Sequence, residues 1–303
     1  MTMIDKIRVA VTLGPLMRRT AADIDALLED ALADPPDPRR RLYTAMRYAA
    51  VGGGKRLRPL LVLSSASLFG VPRERALRAG LAVECVHAHS LIHDDLPCMD
   101  DDDLRRGKPT VHRAFDEATA VLAGDALLAL AFELLVNAAT HPSGDIRAEL
   151  VSELARAAGA AGMAGGQMLD LLPGEAMDLD TITRLQRLKT GALIGWSVEA
   201  GAILGGAAPE LRTSLRGYAH CVGLAFQIAD DLLDHEGDEA KAGKRVGKDS
   251  QAGKETFVSL LGADRARRQA EILVDQAIEH LRAFAGRSQL LEAVAQFAIS
   301  RDR

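Results

Sequence analysis

The sequence contains few cysteines and few aromatic residues. Its 303 residues include three cysteines, Cys85, Cys98 and Cys221, whose wide spacing fits neither a disulfide framework nor a CxxC metal site. This usage predicts a reducing, cytoplasmic compartment. The chain has a net charge of −5 and a pI of about 5.9, so it lacks the excess of basic residues that is typical of a nucleic-acid-binding domain. We therefore expect no nucleic-acid partner.

Long hydrophobic runs and alternating apolar patterns are also missing. The apolar run VAVTLGPLM is roughly half the length of a membrane span and ends at Arg18 and Arg19, so we expect no membrane insertion. No stretch shows a sustained alternation of apolar and polar residues, so we predict no sheet. No change in composition divides the chain into two domains. Apolar residues instead recur at helical spacing, which predicts one all-α domain over 1–303 with about ten helices. The breakers between helices are DPPDP (34–38), VGGG (51–54), HPSGD (141–145) and LPG (172–174).

Negative charge is concentrated in one short segment. Residues 94–103 contain six aspartates and follow the apolar segment GLAVECVHAHSLIH, which we predict to be helical. In that helix His87, Ser90 and Asp94 have the i, i+3, i+7 spacing that puts them on one face. A polar stripe on an apolar helix is costly unless it faces water or a ligand.

A second segment repeats this arrangement some 136 residues later. In FQIADDLLD, Gln227, Asp230 and Asp234 again share one helical face, with Asp231 beside them. Carboxylates 4 Å apart repel by about 4 kcal/mol at an effective dielectric of 20, and Mg²⁺ relieves this repulsion. A single acidic cluster is usually solvated surface, but two matched clusters within apolar helices predict a metal site. Neither cluster has the spacing of a calcium loop.

Basic residues accompany both acidic clusters. GGGKRLRP (52–59) lacks the P-loop spacing, yet its glycines, Lys55, Arg56 and Arg58 can hold a phosphate group. Arg105 and Arg106 follow the first cluster. The polar, glycine-rich segment 235–254 follows the second, and we predict that it forms a mobile loop. The combination predicts two phosphorylated substrates.

These motifs together resemble the trans-isoprenyl diphosphate synthases. The resemblance rests on GGGKRLRP, DDLPCMD with DDLRRGKPT, GQMLDL, KTGALI, FQIADDLLD and GK, and it runs from about residue 40 to the C-terminus. Residues 1–40 form a weakly matched helical segment. The family implies a bundle of antiparallel helices around a deep central cavity, usually in a homodimer. The sequence is most similar to the bacterial members that make farnesyl diphosphate.

The resemblance also implies roles for individual residues. Three Mg²⁺ ions, for which Mn²⁺ can substitute, would be bound by Asp94, Asp95, Asp100, Asp230, Asp231 and Asp234. The allylic diphosphate would be bound by Arg105, Lys189, Lys244 and Gln167, with Asp170 supporting the same pocket. Isopentenyl diphosphate would be bound by Lys55, Arg58, His87 and Arg106. Catalysis would depend on Asp94, Asp230, Lys189, Thr190 and Gln227. Closure of the 235–254 loop would bring Lys254 to the bound diphosphate.

The expected reaction is a head-to-tail condensation. Ionisation of the C5 or C10 allylic diphosphate leaves a carbocation, which the double bond of isopentenyl diphosphate attacks before a proton is lost. Gly191 is unfavourable within the helical pattern by about 1 kcal/mol relative to Ala, so we predict a kink that turns the Lys189 carbonyl toward the cation. Helix packing at a small residue is the alternative.

His89 and Ser90 stand where the family controls chain length. His89 replaces the usual aromatic residue, and we favour C15 over C20.

Other functions make different demands on the sequence. A terpene cyclase would replace the second aspartate motif, and a head-to-head squalene or phytoene synthase would lack GGGKRLRP. A non-catalytic subunit of a prenyltransferase would have lost aspartates that are intact here. The sequence therefore favours farnesyl diphosphate synthesis, with a C20 synthase as the alternative and a non-catalytic subunit after it.

Overall fold

The computed structural model describes residues 3–172, 178–236, 255–284 and 286–300, with side chains from residue 13 onward. These residues form fourteen α-helices, and the all-α prediction is confirmed. The count exceeds the predicted ten partly because two of the helices have only four and five residues. The α-helices in chain order are α1 (Met3–Ala31), α2 (Arg40–Ala50), α3 (Leu57–Ser67), α4 (Arg73–Asp94), α5 (Val111–Ala114), α6 (Glu117–Val136), α7 (Gly144–Ala158), α8 (Met163–Leu171), α9 (Leu179–Gln186), α10 (Ala192–Leu204), α11 (Pro209–Glu236), α12 (Phe257–Leu261), α13 (Ala263–His280) and α14 (Gln289–Ser300).

The predicted breakers mark the ends of helices. α1 ends just before DPPDP, and α2 ends just before VGGG. In HPSGD the side chain of Ser143 accepts a hydrogen bond from the backbone N–H of Ile146 and caps α7. A π-helical turn, Arg187–Gly191, joins α9 to α10 without a break, and the 3₁₀ turn Leu281–Phe284 follows α13.

One short hairpin departs from the prediction of no sheet. Strands β1 (Leu104–Arg105) and β2 (Lys108–Pro109) pair antiparallel. The two residues between them have positive φ angles, 53° at Arg106 and 74° at Gly107, as a tight hairpin turn requires. Strands of two residues are too short to show an alternating pattern, so sequence periodicity could not reveal them.

The buried residues form two hydrophobic clusters that meet at α3 and α10. One cluster joins α2, α4, α6 and α7, and the other joins α11, α13 and α14; α1, α3 and α10 contribute to both. α3 and α10 lie so close that a Cβ on Gly201 would be 2.3 Å from the backbone nitrogen of Ala66. The indole N–H of Trp196 in α10 donates to the carbonyl of Leu150 in α7 at 3.2 Å.

The three cysteines are unpaired, as predicted, and burial raises the pKa of the Cys85 thiol to about 12.

Within the described residues, only α6 is long and apolar enough to cross a membrane, with a mean hydropathy of 1.9. α6 belongs to the first hydrophobic cluster, in which it packs extensively on α4. Core helices of this kind meet the same length and composition criteria.

Candidate active site

The first aspartate cluster is built at the C-terminal end of α4. The helix ends at Asp94, and the following loop turns back onto the helix end. The N–H of Asp100 donates to the carbonyl of Asp94 at 2.9 Å, and the N–H of Asp102 donates to the carbonyl of Asp95 at 3.2 Å. Asp101 has a φ of 49°, which allows the reversal. The fold therefore brings Asp94, Asp95 and Asp100 together as the sequence predicts.

Asp94 lies in an environment with too little positive charge for a carboxylate. Its pKa is raised to about 6, chiefly by burial; the positive charges of Lys189 and Arg105 oppose this rise, and the negative charges of Asp100 and Asp95 add to it. A divalent cation would remove the imbalance. The oxygen ligands present are those that hard cations such as Mg²⁺ prefer, so the residues fit the implied metal.

Asp95 is buried and already paired. The guanidinium of Arg105 donates to both of its oxygens, with Nε 2.7 Å from Oδ1 and 2.9 Å from Oδ2. Burial still raises the pKa of Asp95, because desolvation of the carboxylate outweighs the attraction of Arg105. Arg105 therefore lies beside the aspartate cluster, where it can contact a diphosphate held there.

The π-helical turn brings Lys189 toward the first cluster. Its Nζ lies 2.8 Å from Oδ2 of Asp170 in α8, and its charge acts on Asp94. α8 approaches closely because residue 166 is glycine: a Cβ there would lie 2.2 Å from the backbone nitrogen of Lys189. The turn ends at Gly191, where we predicted a kink. A Cβ added to Gly223 of α11 would lie 3.5 Å from the Cα of Gly191, so the two helices pack closely at these glycines. π-helical turns are frequent at functional sites.

The second aspartate cluster lies on α11, and hydrogen bonds connect it to the π-helical turn. The hydroxyl of Thr190 donates to Oε1 of Gln227 at 3.2 Å, and Nε2 of Gln227 donates to Oδ1 of Asp231 at 3.0 Å. The other oxygen of Asp231 accepts from the backbone N–H of Phe257 at 3.0 Å. Both oxygens of this buried carboxylate are thus engaged within the protein. Asp234 lies one turn further along α11 and is partly buried.

The predicted basic pocket forms around His87. Its pKa lies well below the usual range, because burial disfavours the charged ring and the guanidinium groups of Arg58 and Arg106 repel a proton. Arg106 lies against the glycine-rich loop, since a Cβ on Gly53 would be 2.4 Å from its Nη1. A cavity of about 330 Å³ extends from this loop past Arg105 and Arg106 to Asp95. This cluster of cations suits a diphosphate ligand.

Two further contacts position this pocket. Burial lowers the pKa of Arg58, and the negative charges of Glu84 and Asp230 oppose this shift. Because Asp230 acts on it, Arg58 lies within electrostatic range of the second aspartate cluster. The Nε of Arg58 is buried and has no hydrogen-bond partner among the described residues. Lys55 extends over the ring of Phe297 in α14, with Nζ 5.5 Å from the ring centroid.

Gln167 stands out among the remaining predicted residues. It is 8% exposed, and neither atom of its side-chain amide has a hydrogen-bond partner among the described residues. Leaving such a group unpaired costs about 1–3 kcal/mol, so this position is expected to gain a partner when a ligand binds. Ser90 donates to the carbonyl of His87 at 2.9 Å, and His89 lies against His93.

The sequence predicted that Arg56 can hold a phosphate group, but the structure engages its guanidinium within the protein, where it supports the basic loop. Arg56 is 3% exposed and bonds Glu84 at 2.6 Å and Asp25 at 2.5 Å. Its φ of 49° turns the glycine-rich loop into α3. An arginine within a basic run gives no sequence signal of burial, and its partners are 28 and 31 residues away. Lys244, Lys254 and nearly all of the predicted 235–254 loop lie outside the described residues.

Known proteins resemble this chain over most of its length. Residues 39–296 match the polyprenyl synthetase family. Farnesyl diphosphate synthase of Escherichia coli is 48% identical over 282 residues, which are 90% of this chain and 93% of that protein. The crystal structure of an FPP/GFPP synthase from Zymomonas mobilis in its apo form superposes with a TM-score of 0.88 at 54% identity, covering 96% of this chain and 99% of the other.

A second solved structure shows a relative with ligands bound. Geranyltransferase from Helicobacter pylori, complexed with magnesium and isoprenyl diphosphate, has a TM-score of 0.81 and 34% identity, covering 94% of this chain and 95% of the other. Residues 39–296, which match the polyprenyl synthetase family, include both aspartate clusters, the glycine-rich loop and the π-helical turn. The chain belongs to the polyprenyl synthetase family.

Proposed function

We propose that this protein condenses isopentenyl diphosphate with C5 and C10 allylic diphosphates to farnesyl diphosphate and releases diphosphate. Membership of the family makes it a trans-prenyltransferase. The observation that carries the proposal is that Lys189, ion-paired to Asp170, lies within electrostatic range of Asp94 and next in the chain to Thr190, which bonds Gln227. This places a diphosphate-binding cation, a metal-binding carboxylate and two polar groups suited to a carbocation next to each other.

The family uses a divalent metal, and we propose three Mg²⁺ ions, with Mn²⁺ able to substitute. Their proposed ligands are the clustered carboxylates Asp94, Asp95, Asp100, Asp230, Asp231 and Asp234. Support comes from the raised pKa of Asp94 and from the magnesium in the Helicobacter pylori relative. When bound, the metal supplies positive charge against the departing diphosphate.

We propose separate binding residues for the two isoprenoid diphosphates. Lys189, Arg105 and Gln167 would bind the allylic diphosphate, together with Lys244 from outside the described residues. Isopentenyl diphosphate would occupy the basic pocket of Lys55, Arg58, His87 and Arg106. Neutral His87 donates one hydrogen bond there, and a bound diphosphate favours its protonation because it offsets the guanidinium charges.

We propose that the described residues also shape the reaction after the allylic C–O bond breaks. The hydroxyl of Thr190, the amide oxygen of Gln227 and the backbone carbonyl of Lys189 stabilise the cation. The proton lost after C–C bond formation passes to the released diphosphate. Closure of the 235–254 loop, with Lys254, excludes water from the cation. No covalent intermediate with the protein is required.

We propose C15 as the main product length, with C20 as the second candidate. His89 lies five residues before Asp94 on α4, and its ring packs on His93, where it can form the floor of the chain cavity. The E. coli relative is a farnesyl diphosphate synthase, while the Zymomonas mobilis relative also carries the GFPP name, so longer products occur among similar proteins.

The proposed setting is a single domain in a cytoplasmic homodimer. The single domain is supported by α3 and α10, which contribute to both hydrophobic clusters. The homodimer is supported by α6, which leaves Leu122 57% and Val136 59% exposed, and a second copy would cover this apolar face. Leu122→Asp should convert a dimer to monomer in light scattering, whereas a monomeric wild-type chain would contradict the proposal.

A product assay tests the function. Purified protein is incubated with Mg²⁺, isopentenyl diphosphate and a C5, C10 or C15 starter in separate tubes, and dephosphorylated products are sized by mass spectrometry. We expect C15 from C5 and C10, with C15 not extended. Extension to C20 would overturn the product length. Thermal stabilisation by diphosphates without any product would instead favour the non-catalytic subunit. Folded Asp94→Ala and Asp230→Ala variants should lose turnover.

A further inference from the structure

A cluster of two histidines and one aspartate lies between α4 and α6, and none of the three is among the proposed ligands of the neighbouring aspartate-rich site. His89 and His93 are one turn apart on α4, with ring centroids 4.5 Å apart, and Asp125 faces them from α6. Nε2 of His93 lies 3.9 Å from Oδ1 of Asp125. One ligand atom from each of the three residues lies within 4.8 Å of the others.

The surrounding structure holds these side chains close. α6 has glycine at 124, and a Cβ there would lie 2.2 Å from Nε2 of His93, so the ring occupies space that any other residue would fill. Nε2 of His93 lies 3.1 Å from the carbonyl of Val121, which can only accept, so a metal at this nitrogen would replace an N–H hydrogen bond to that carbonyl. The i, i+4 spacing of the histidines on a helix puts both rings on one face.

One of the ring nitrogens is available as a ligand. Nδ1 of His89 is buried and has no hydrogen-bond partner among the described residues. The His89 ring has a backbone hydrogen bond at Gly124, so Nδ1, which has no partner in the described part of the chain, is the ring nitrogen that keeps a lone pair for a metal. An unpaired buried nitrogen is costly, and coordination would satisfy it.

We propose that His89, His93 and Asp125 form a second metal site that binds Zn²⁺ or a similar imidazole-preferring divalent cation. Two imidazoles and one carboxylate are a common zinc ligand set, whereas the carboxylate clusters of the active site suit Mg²⁺. Zn–ligand bonds of about 2.1 Å require ligand atoms roughly 3.4 Å apart, so small side-chain rotations close the site. Asp125 is 61% exposed and leaves room for water as the fourth ligand.

The site bears on product length if the proposed function holds, because His89 is the proposed floor residue. A metal bound to Nδ1 fixes the His89 ring against His93 and thereby fixes the depth of the chain cavity. The C15 share of the product then depends on Zn²⁺ at constant Mg²⁺. This consequence rests on the proposed function, but metal binding itself does not.

Zn²⁺ titration of the full-length protein in millimolar Mg²⁺ tests the site, since excess Mg²⁺ occupies the aspartate clusters. Isothermal titration should show Zn²⁺ binding that weakens at least about tenfold in Asp125→Asn and in His89→Ala. Co²⁺ should give visible absorption typical of tetrahedral nitrogen coordination in the wild type and not in the variants. His280→Ala, at an exposed histidine of α13, is the matched control and should bind Zn²⁺ as the wild type does.

Two results would overturn the proposal: no Zn²⁺ binding by the wild type, or equal affinity in the wild type and Asp125→Asn. Because Asp125 lies on the surface, its substitution leaves the fold intact even if His89→Ala does not fold. Product analysis separates the two proposals. Farnesyl diphosphate synthesis with Mg²⁺ alone is expected whether or not Zn²⁺ binds. A Zn²⁺-dependent change in product length that persists in Asp125→Asn would assign the effect to the aspartate clusters and overturn the role of this site.

Discussion

The carboxylate of Asp231 accepts a hydrogen bond from the backbone N–H of Phe257 at 3.0 Å. Phe257 begins α12, the first described helix after segment 237–254. The other oxygen of Asp231 holds the amide of Gln227, which in turn accepts from Thr190. One buried carboxylate thus links the helix that follows the proposed loop to the two side chains that we assign to the carbocation.

Asp231→Asn should impair catalysis through Gln227. The amide cannot accept two hydrogen bonds as the carboxylate does, so we expect the unfolding free energy to fall by about 1–3 kcal/mol. We expect kcat to fall at least about tenfold, which is about 1.4 kcal/mol of barrier, with little change in KM for isopentenyl diphosphate. Steady-state kinetics measure both constants.

The Mg²⁺ dependence of Asp231→Asn distinguishes two roles for this residue. A positioning role leaves the Mg²⁺ concentration for half-maximal rate unchanged, whereas metal binding through water raises it. The control is Asp275→Asn, at an exposed position of α13, which should behave as wild type. An unchanged kcat in Asp231→Asn would refute both roles.

Gln167→Met should stabilise the protein and weaken substrate binding. Methionine has nearly the same shape but carries no amide to leave unpaired, so the unfolding free energy should rise by about 1 kcal/mol. KM for the allylic diphosphate should rise, because the amide can no longer bond the ligand. Denaturant unfolding and initial rates measure the two effects. Gln289→Met, at the exposed start of α14, should change neither, and a destabilised Gln167→Met with normal KM would contradict the assignment.

Gly166→Ala should separate α8 from the π-helical turn. The added Cβ would meet the backbone of Lys189 at 2.2 Å, and backbone atoms cannot move aside cheaply. We expect a loss of about 1–3 kcal/mol in stability and lower turnover, because Lys189 would be displaced from Asp94. Gly195→Ala in α10 is the control: outside its own helical turn, a Cβ there would meet none of the described atoms within 4 Å, so this variant should gain up to about 1 kcal/mol. Equal stability of the two variants would show that α8 does not constrain Lys189.

Without divalent metal, the unfolding free energy should fall as pH rises through about 6. The pKa of Asp94 is about 6 in the folded protein and near 3.8 in the unfolded chain, so the folded state binds more protons between these values. The full difference corresponds to about 3 kcal/mol, reduced by solvent screening at this partly exposed group.

Urea unfolding in EDTA at pH 5 and pH 7.5 measures this dependence on pH. The contribution should disappear in Asp94→Asn and persist in Asp264→Asn, whose side chain is 86% exposed. Asp94→Asn with the full pH dependence of the wild type would show that Asp94 is not the titrating group.

His89→Ala should lengthen the product from C15 toward C20. Removal of the ring deepens the cavity beside α4, where His89 now packs on His93. Ser67→Ala in α3 is the matched control, because this exposed serine lies outside the proposed site and its hydroxyl donates to the carbonyl of Ser64. Mass spectrometry of the dephosphorylated products gives the chain lengths. An unchanged product distribution in His89→Ala would place the floor at other residues.

Much of the fold follows from local sequence chemistry. The helical spacing of apolar residues predicts α4 and α11, and the breakers DPPDP and VGGG set the ends of α1 and α2. These features depend on neighbours a few residues away, so the sequence carries them directly. The two-residue strands of the hairpin lie below the length at which periodicity is informative.

The sequence also predicts the members of the proposed site, since both aspartate clusters, the glycine-rich loop and Lys189 stand in recognisable motifs. The tertiary structure decided which partner each side chain has. Arg105 bonds Asp95, Asp231 bonds Phe257, and Gln167 is left without a partner among the described residues. Such pairings and burial depend on how distant helices pack, because hydrogen bonds and desolvation act over a few ångströms in space, whatever the separation along the chain.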